Sequence, residues 1–413
     1  MKIMSIVGAR PNFMKVAPII AAVEAHNQRI AGSPRSATED FRGMIHHVLV
    51  HTGQHYGELM SDSFFADLGL PKPDVHMGVG SGTHAVQSAE IMKRFEEILL
   101  KEKPDVVIVV GDVNSTLACA VVTAKISFDM NGARPLIAHV ESGLRSFDRT
   151  MPEEVNRVVT DHVADLLFVT EESGIRNLRS EGIADERIHF VGNTMIDSLL
   201  RFREKADSSV KLDELGLRRP VDGNSGTAIL PYALLTMHRP ANVDNPEALR
   251  EILAGLEELS VKYPVIFPIH PRTRKRIEEF HLNLEGGNGQ KATSLTDQVK
   301  PGLILIEPLG YLDFLCLMKH AAIVVTDSGG IQEETTCLGV PCVTVRDNTE
   351  RPVTVDMGTN IIAGTAQANI RAAIRRQLQL SNSHGIPQFW DGHAAERIVE
   401  VLSQIHQPEP AKV

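Results

Sequence analysis

Short apolar runs alternate with longer amphipathic stretches along almost all of this 413-residue chain, and this alternation limits the possible folds more than any other feature. The apolar runs have the length and composition of β-strands, and the stretches between them, such as 84–103 and 114–127, are helical in character. Strands that alternate with helices imply βαβ units, and therefore parallel sheets covered by helices on both faces. The predicted strands are 3–7, 46–50, 105–110, 135–140 and 166–170, and then 231–236, 264–269, 303–306, 322–326 and 340–345.

A polar break separates the two series of strands. Residues 207–229 are rich in glycine, serine and charge, as expected of a boundary between domains. We therefore predict an α/β protein with two doubly wound, Rossmann-like domains, 1–200 and 201–385, followed by a last segment, 386–413, that is helical over 393–406. Domains of this kind bind ligands at the carboxyl ends of their strands, so we expect the site in the cleft between the two.

The composition excludes several classes of protein. The chain has 42 basic and 52 acidic residues, a net charge of −10, which argues against a general binder of nucleic acid or anionic membranes. Its longest apolar runs, such as 106–110, fall far short of the ~20 residues that a membrane-spanning helix needs. The four cysteines form no C-x-x-C pair and indicate a reduced, cytoplasmic protein. An anionic small ligand in a local basic pocket remains compatible with this charge.

A glycine-rich turn after the predicted strand 322–326 is the sharpest candidate for phosphate binding. Ser328, Gly329 and Gly330 open a helix there, so bare backbone amides and the helix dipole face the position of an anion. Glu334 follows one turn later, where a carboxylate can accept from ribose hydroxyls. The alternative is that Ser328 only caps the helix. His238, at the carboxyl end of another strand, either contacts phosphate or is a structural histidine.

The turn after the first strand is a weaker candidate of the same kind. Gly8 permits a tight turn, and Arg10 and Lys15 add positive charge to the start of the next helix. The alternative is a surface loop with two solvated cations. The pair His51 and His55 lies on a glycine-containing loop with no further ligand, and no dinucleotide fingerprint occurs, so we predict neither a metal site nor a redox cofactor.

Three carboxylates are candidate catalytic acids, and two of them are predicted to converge by topology at the carboxyl ends of their strands. Asp112 and Glu141 each end a predicted strand, and Glu153 opens a helix. Desolvated carboxylates of this kind serve as general acids or bases. The alternatives are that Asp112 caps the helix beginning near Asn114 and that Glu153 belongs to a capping box begun by Thr150.

Ten short motifs occur in order along almost the whole chain: GARPNFMK, HTGQH, VVGDVNST, HVESGLRS, MPEEVNR, GNTMID, MHRP, HPRT, TDSGGIQEE and RDNTERP. In these motifs the chain resembles the non-hydrolysing UDP-N-acetylglucosamine 2-epimerases. The resemblance implies the two-domain GT-B fold, with a last helix that returns to the N-terminal domain. It also implies interconversion of UDP-N-acetylglucosamine (UDP-GlcNAc) and UDP-N-acetylmannosamine (UDP-ManNAc) for surface polysaccharides. We further expect a cytoplasmic homodimer that takes a UDP-sugar, needs no cofactor and has no nucleic-acid or membrane partner.

The resemblance also assigns roles to individual residues. The residues that hold the UDP phosphates or the nearby sugar are then Arg10, Lys15, His238, Ser328, Gly329, Gly330 and Arg351. Glu334 takes the ribose hydroxyls, while the backbone at Leu309 and the ring of Phe314 contact uracil. The catalytic group consists of Asp112, Glu141, Glu153 and His238.

Two alternatives share this framework. An epimerase of a UDP-diacetamido-uronic acid would act on a related sugar, but the intact T-E-R-P run at 349–352 favours GlcNAc. A GT-B glycosyltransferase would share the donor site around Glu334, but it needs an acceptor groove in place of the three N-terminal acids.

A second, effector site is expected to be weak. Some bacterial members of the family bind a second UDP-GlcNAc, and Gln54, Arg239 and His270 match that site. However, Gly57 replaces a glutamine, and 81–82 lack an arginine. Two lost polar contacts remove about 2–4 kcal/mol, or ~30-fold or more in affinity. We therefore expect the reaction from pure UDP-ManNAc to proceed without a lag. A reaction that starts only when UDP-GlcNAc is added would contradict this.

Overall fold

The computed structural model describes residues 1–32, 43–54, 69–220, 227–282, 300–379 and 384–405. These residues form two compact units. The first contains the described residues of Met1–Ser198 and Gln388–Val413, and the second those of Leu199–Pro387. The chain therefore leaves the first unit near residue 199 and returns to it near residue 388.

A parallel sheet forms the centre of the first unit. Its described strands are β1 (Lys2–Val7), β2 (His46–His51), β3 (Val75–His76), β4 (Val106–Val110), β5 (Leu136–Ser142), β6 (Leu166–Val169) and β7 (Ile188–Phe190). They lie in the order β3-β2-β1-β4-β5-β6-β7, and every pair is parallel. The order reverses between β1 and β4, the place where doubly wound sheets usually bind ligands.

Helices cover this sheet through apolar faces. The helix His84–Glu102 illustrates the pattern, because Ile91, Phe95 and Leu99 recur every four residues and are buried in the core. Thr83 begins this helix by accepting a hydrogen bond from the Val86 N–H. The other helices that include residues of this unit are Arg10–Gly32, Asn114–Lys125, Pro152–Val163, Glu172–Ser180, Thr194–Phe202 and Ala394–Ser403, with a short 3-10 turn at Asp185–Arg187.

The last helix, Ala394–Ser403, belongs to the first unit and packs against Arg10–Gly32. The carboxylate of Asp197 accepts from the N–H groups of Ala394 and Ala395 at 3.1 and 2.7 Å. It thereby satisfies backbone donors that the first turn of a helix leaves open.

The second unit repeats the same plan. Its described parallel sheet contains β10 (Ala233–Thr236), β11 (Pro264–Pro268), β12 (Gly302–Ile306), β13 (Ile323–Thr326), β14 (Cys342–Thr344) and β15 (Asn360–Ile362), in the order β12-β11-β10-β13-β14-β15. An antiparallel hairpin, β8 (Arg218–Pro220) and β9 (Thr227–Ile229), precedes it. The helices are Lys211–Glu214, Pro240–Val243, Pro246–Gly255, Glu257–Lys262, Pro271–Glu279, Tyr311–His320, Gly329–Leu338, Val353–Asp356 and Gln367–Gln379, with a 3-10 turn at Lys205–Ser208.

The predicted α/β class with two doubly wound parallel sheets is confirmed. All ten predicted strands occur, with ends that differ by a few residues. The strands that the sequence did not predict, β3, β7, β8, β9 and β15, have only two or three residues each and lack a continuous apolar run. Among the described helices, none combines the length and the apolar character needed to cross a bilayer.

Candidate active site

The turn after β4 brings the first group of candidate residues together. Gly111 has a φ of +66°, and a Cβ at this position would lie 2.9 Å from Lys15 Nζ and 3.9 Å from Glu141 Oε1. Glycine therefore leaves room for the Lys15–Glu141 pair directly beside Asp112. The structure thus gathers Lys15, Asp112 and Glu141 at the carboxyl edge of β4 and β5, on one side of the switch point.

Glu141 is held in an unusual conformation. Its φ of +71° lies in the left-handed region, and the register between β5 and β6 shifts between Val140 and Ser142. A bulge of this kind redirects a side chain, and strain in the backbone of a non-glycine residue is typical of functional sites. Its carboxylate is only 3% exposed and lies 2.6 Å from Lys15 Nζ. The sequence did not predict this pairing, and phosphate binding by Lys15 stays a prediction.

Asp112 is bound by a buried arginine. Arg157 donates from Nη2 to Asp112 Oδ2 at 2.6 Å and forms a second ion pair, also at 2.6 Å, with Glu154. The idea that Asp112 caps the next helix is wrong, because Val113 occupies the cap position and makes no side-chain capping bond. Asp112 is instead fixed by a cation, with 21% of its side chain exposed.

The helix that carries Glu153 begins differently from the capping-box alternative. It starts at Pro152 with Met151 at the cap, and the Thr150 hydroxyl donates to Asp148 at 2.6 Å. The capping-box interpretation is therefore wrong. Glu153 itself is half-buried, and its catalytic role stays a prediction.

Glu154, the neighbour of Glu153, has a structural role that the sequence did not indicate. Its carboxylate accepts from the Ser146 N–H and hydroxyl, both at 3.0 Å, and from the Phe147 N–H at 2.9 Å. Together with Arg157 it connects the loop after β5 to Asp112. Glu154 and Arg157 are three residues apart on one helical face, and this spacing is the feature of the sequence from which their ion pair could have been predicted.

A buried aspartate organises the carboxyl edge of the second sheet. Asp327 follows β13 and accepts from the backbone N–H groups of His238 and Arg239, at 3.1 and 2.9 Å, so it ties the turn after β10 to the turn after β13. Its Oδ1 also lies 3.2 Å from Nδ1 of His238, half of whose side chain is exposed. Burial alone would raise the pKa of Asp327, but His238 and the backbone donors outweigh it and lower that pKa.

The glycine-rich turn directly follows Asp327. The helix begins at Gly329 with Ser328 at the cap position, but the Ser328 side chain makes no capping bond, so the idea that it only caps the helix is wrong. A Cβ on Gly329 would collide with the guanidinium of Arg351. Arg351 is buried and pairs with Glu333 at 2.9 Å and with Glu350 at 2.7 Å.

Glu334 lies in the same helix as Gly330, one turn further on, and is only 4% exposed. The hydroxyl of Tyr311, which the sequence did not single out, donates to Glu334 Oε1 at 3.1 Å. Burial raises the pKa of Glu334 to about 7, despite that hydrogen bond. Leu309 and Phe314, the predicted uracil contacts, flank Tyr311 in sequence and are partly exposed.

The three residues of the predicted effector site have partners within the fold. Gln54 is buried, and its Oε1 accepts from the Ser115 hydroxyl at 2.7 Å. Arg239 contacts Glu350 at 3.4 Å. His270 caps the helix Pro271–Glu279 by accepting at 3.2 Å from the N–H two residues further on. Gly57 lies outside the described residues, so the predicted weakness of this site stays a prediction.

Two predicted positions cannot be placed. His55 and the side chain of Arg10 lie outside the part of the chain that the structure describes. His51 contacts His76, with ring centroids 4.6 Å apart. Across the described ranges, no three His, Cys, Asp or Glu side chains are grouped so that they could hold a metal ion.

Two Rossmann-like units with these polar carboxyl edges define a GT-B-type α/β protein. A family model described as UDP-N-acetylglucosamine 2-epimerase matches residues 39–403. The UDP-N-acetylglucosamine 2-epimerase of Methanocaldococcus jannaschii is 42% identical, with 98% of this chain and 99% of the relative covered. The chain therefore belongs to the UDP-N-acetylglucosamine 2-epimerase family, as its motifs indicated.

Two further comparisons bear on fold and substrate. A crystal structure of the Methanocaldococcus jannaschii enzyme in complex with UDP-GlcNAc and UDP matches with a TM-score of 0.81 and 41% identity, over 98% of this chain and 99% of that one. The UDP-2,3-diacetamido-2,3-dideoxy-D-glucuronate 2-epimerase of Pseudomonas aeruginosa is 36% identical, over 98% of this chain and 100% of the relative. The chain is thus similar along its whole length to relatives that are named for two different UDP-sugars.

Proposed function

We propose that this protein interconverts UDP-GlcNAc and UDP-ManNAc by inverting the sugar at C2. The observation that carries the proposal is the grouping of Asp112 and the Lys15–Glu141 pair around Gly111 at the switch point of the first sheet. Two carboxylates beside one sugar carbon supply what an inversion needs, namely a proton acceptor and a proton donor. Family membership supplies the substrate class, a UDP-sugar.

The chemistry follows from the substrate. The C2 proton is not adjacent to a carbonyl, so direct deprotonation would be slow. Cleavage of the C1–O bond places positive character on C1 and makes the C2 proton acidic. A carboxylate then removes that proton, which leaves UDP and a glycal. Return of UDP to C1, with a proton delivered to the opposite face of C2, gives the epimer. In this scheme Asp112, Glu141 and Glu153 are the acids, and exclusion of water protects the glycal.

We propose that the carboxyl edge of the second sheet holds UDP. The leaving group needs donors for its pyrophosphate, and the helix that begins at Gly329 and the exposed ring of His238 supply them. Glu334 accepts from the ribose hydroxyls, and Leu309 and Phe314 contact uracil. The remaining cations proposed for the phosphates or the nearby sugar are Arg10, Lys15 and Arg351.

Two properties of the whole protein are part of the proposal. We expect the protein in the cytoplasm, since the cysteine pattern indicates a reducing compartment. We also expect a homodimer, as stated with the family resemblance. Analytical ultracentrifugation of the purified chain tests the oligomeric state.

Incubation with UDP-GlcNAc alone tests the proposed reaction. We expect UDP-ManNAc to accumulate to an equilibrium mixture without any added acceptor or cofactor. The similarity to the Pseudomonas aeruginosa protein makes a UDP-diacetamido-uronic acid the second candidate. If the protein inverts that sugar and leaves UDP-GlcNAc unchanged, the second candidate is correct. No reaction with either sugar would overturn both.

Changing Glu334 to Gln is expected to affect stability and binding in opposite directions. Because burial raises the pKa of Glu334 to about 7, the folded state binds this proton more tightly than the unfolded chain does, and stability falls as pH rises through that value. At mildly alkaline pH, Glu334→Gln removes a buried charge and should raise the unfolding free energy by about 1–3 kcal/mol. It should weaken UDP binding by roughly 10-fold or more, since a charged acceptor is lost.

Calorimetric titration with UDP and thermal unfolding measure both effects. Exposed Glu307, paired with Arg274 in the same unit, provides a control: Glu307→Gln should change the unfolding free energy by under about 0.5 kcal/mol and leave UDP affinity unchanged. Unchanged UDP affinity in Glu334→Gln would remove the ribose role.

A further inference from the structure

A fully buried histidine lies directly behind the proposed acids. His139 is in β5, and its Nδ1 lies 2.6 Å from Oδ1 of Asp161, while its Nε2 lies 2.8 Å from the carbonyl oxygen of Gly111. Both side chains are 0% exposed. Each ring nitrogen therefore meets an acceptor, and no water reaches the pair from bulk solvent.

Further donors surround the Asp161 carboxylate. It accepts from the Gly143 N–H at 3.0 Å and lies 2.7 Å from Arg145 Nη1. Burial alone would raise the pKa of Asp161, but His139 and Arg145 outweigh it and lower that pKa. One buried carboxylate therefore binds His139, Gly143 and Arg145.

The pair brackets Glu141 on both sides. His139 precedes Glu141 by two residues and Gly143 follows it by two, and both bind the same Asp161 carboxylate. Glu141, between them, has a φ of +71°. Through Gly111 the same ring also holds the turn that presents Asp112. One carboxylate and one ring thus connect the backbones of both proposed acids.

We propose that Asp161 and His139 are positioning residues for the epimerisation: a buried pair that holds Glu141 in its left-handed conformation and Asp112 at the adjacent turn. The inference rests on the proposed function for its kinetic consequence. Arg145 also contacts Asp161 and is itself bound by Glu181 at 2.7 Å.

Asp161→Asn tests the positioning role. An asparagine keeps an acceptor for Gly143 but loses the charge that faces His139 and Arg145, so we expect kcat to fall by roughly 10- to 100-fold, as a small misplacement of reacting groups does. Calorimetric titration of this variant should show UDP bound with unchanged stoichiometry and with an affinity within about two-fold of wild type. The kcat is then calculated per UDP-binding site, so that misfolded protein does not count as slow enzyme. The matched control is His47 in β2, whose Nε2 lies 2.8 Å from the Ser5 hydroxyl. His47→Gln should stay within about two-fold of wild type in kcat. Wild-type kcat in Asp161→Asn would overturn the positioning role.

Discussion

Replacement of Glu141 by glutamine, or of Asp112 by asparagine, is expected to lower kcat for epimerisation by about 10²- to 10⁴-fold. Each change keeps the shape of the side chain but removes its ability to take up a proton. The dissociation constant of UDP should change far less than kcat, because most of the proposed UDP residues, including Ser328 and Glu334, lie in the second unit. Stopped assays from both epimers, together with calorimetric titration of UDP, separate the two quantities.

A lysine–glutamate pair elsewhere in the first unit provides the control. Lys2 and Glu102 approach to 2.7 Å, as closely as Lys15 and Glu141, but they lie where β1 begins rather than at its carboxyl end. Glu102→Gln should therefore leave kcat within about two-fold of wild type. If Glu141→Gln and Asp112→Asn retained wild-type kcat, or lost UDP affinity in proportion to rate, these acids would not be the proton-transfer groups.

Arg157→Leu is expected to have the largest effect on stability. Its guanidinium is buried and binds both Asp112 and Glu154, so its removal leaves the Glu154 carboxylate, which is 3% exposed, without its cation. Breaking a buried ion pair by removing one partner costs about 3–5 kcal/mol. The kcat should fall as well, since Asp112 loses the group that orients it. Denaturant unfolding and initial rates measure the two effects.

Two further variants make the result specific. Arg134→Leu removes an ion pair of similar length, 2.7 Å to Asp165, but with both side chains partly exposed, so it should cost about 1 kcal/mol or less. Combining Glu154→Gln with Arg157→Leu removes the buried charge and should recover part of the stability, but not the rate. If Arg157→Leu lowered the unfolding free energy by no more than Arg134→Leu does, a buried, structural role for Arg157 would be contradicted.

The sequence predicted the features that depend on local pattern. Apolar runs such as 105–110 and 322–326 became strands, and the residues that follow them, Asp112 and Ser328, lie at carboxyl edges as parallel topology requires. The strands it did not predict, including β3 and β15, are too short to have a periodicity of their own.

What the sequence could not predict depends on packing between distant segments. The Lys15–Glu141 pair packs against Gly111, where a Cβ would lie 2.9 Å from Lys15 Nζ, and this steric relation has no local signature. The His139–Asp161 pair depends on how one helix lies against β5. The capping-box interpretation at Thr150 was wrong because the helix begins at Pro152 with Met151, not Thr150, at the cap position, while the Thr150 hydroxyl donates to Asp148.

The most direct test of the proposed mechanism is the reaction in deuterated water. The wild-type protein is incubated with UDP-GlcNAc, and the UDP-ManNAc formed is isolated and examined by proton NMR. Removal of the C2 proton by a carboxylate that exchanges with solvent predicts deuterium at C2 of the product. UDP-ManNAc that retains the original hydrogen at C2, or no UDP-ManNAc at all, would contradict the account.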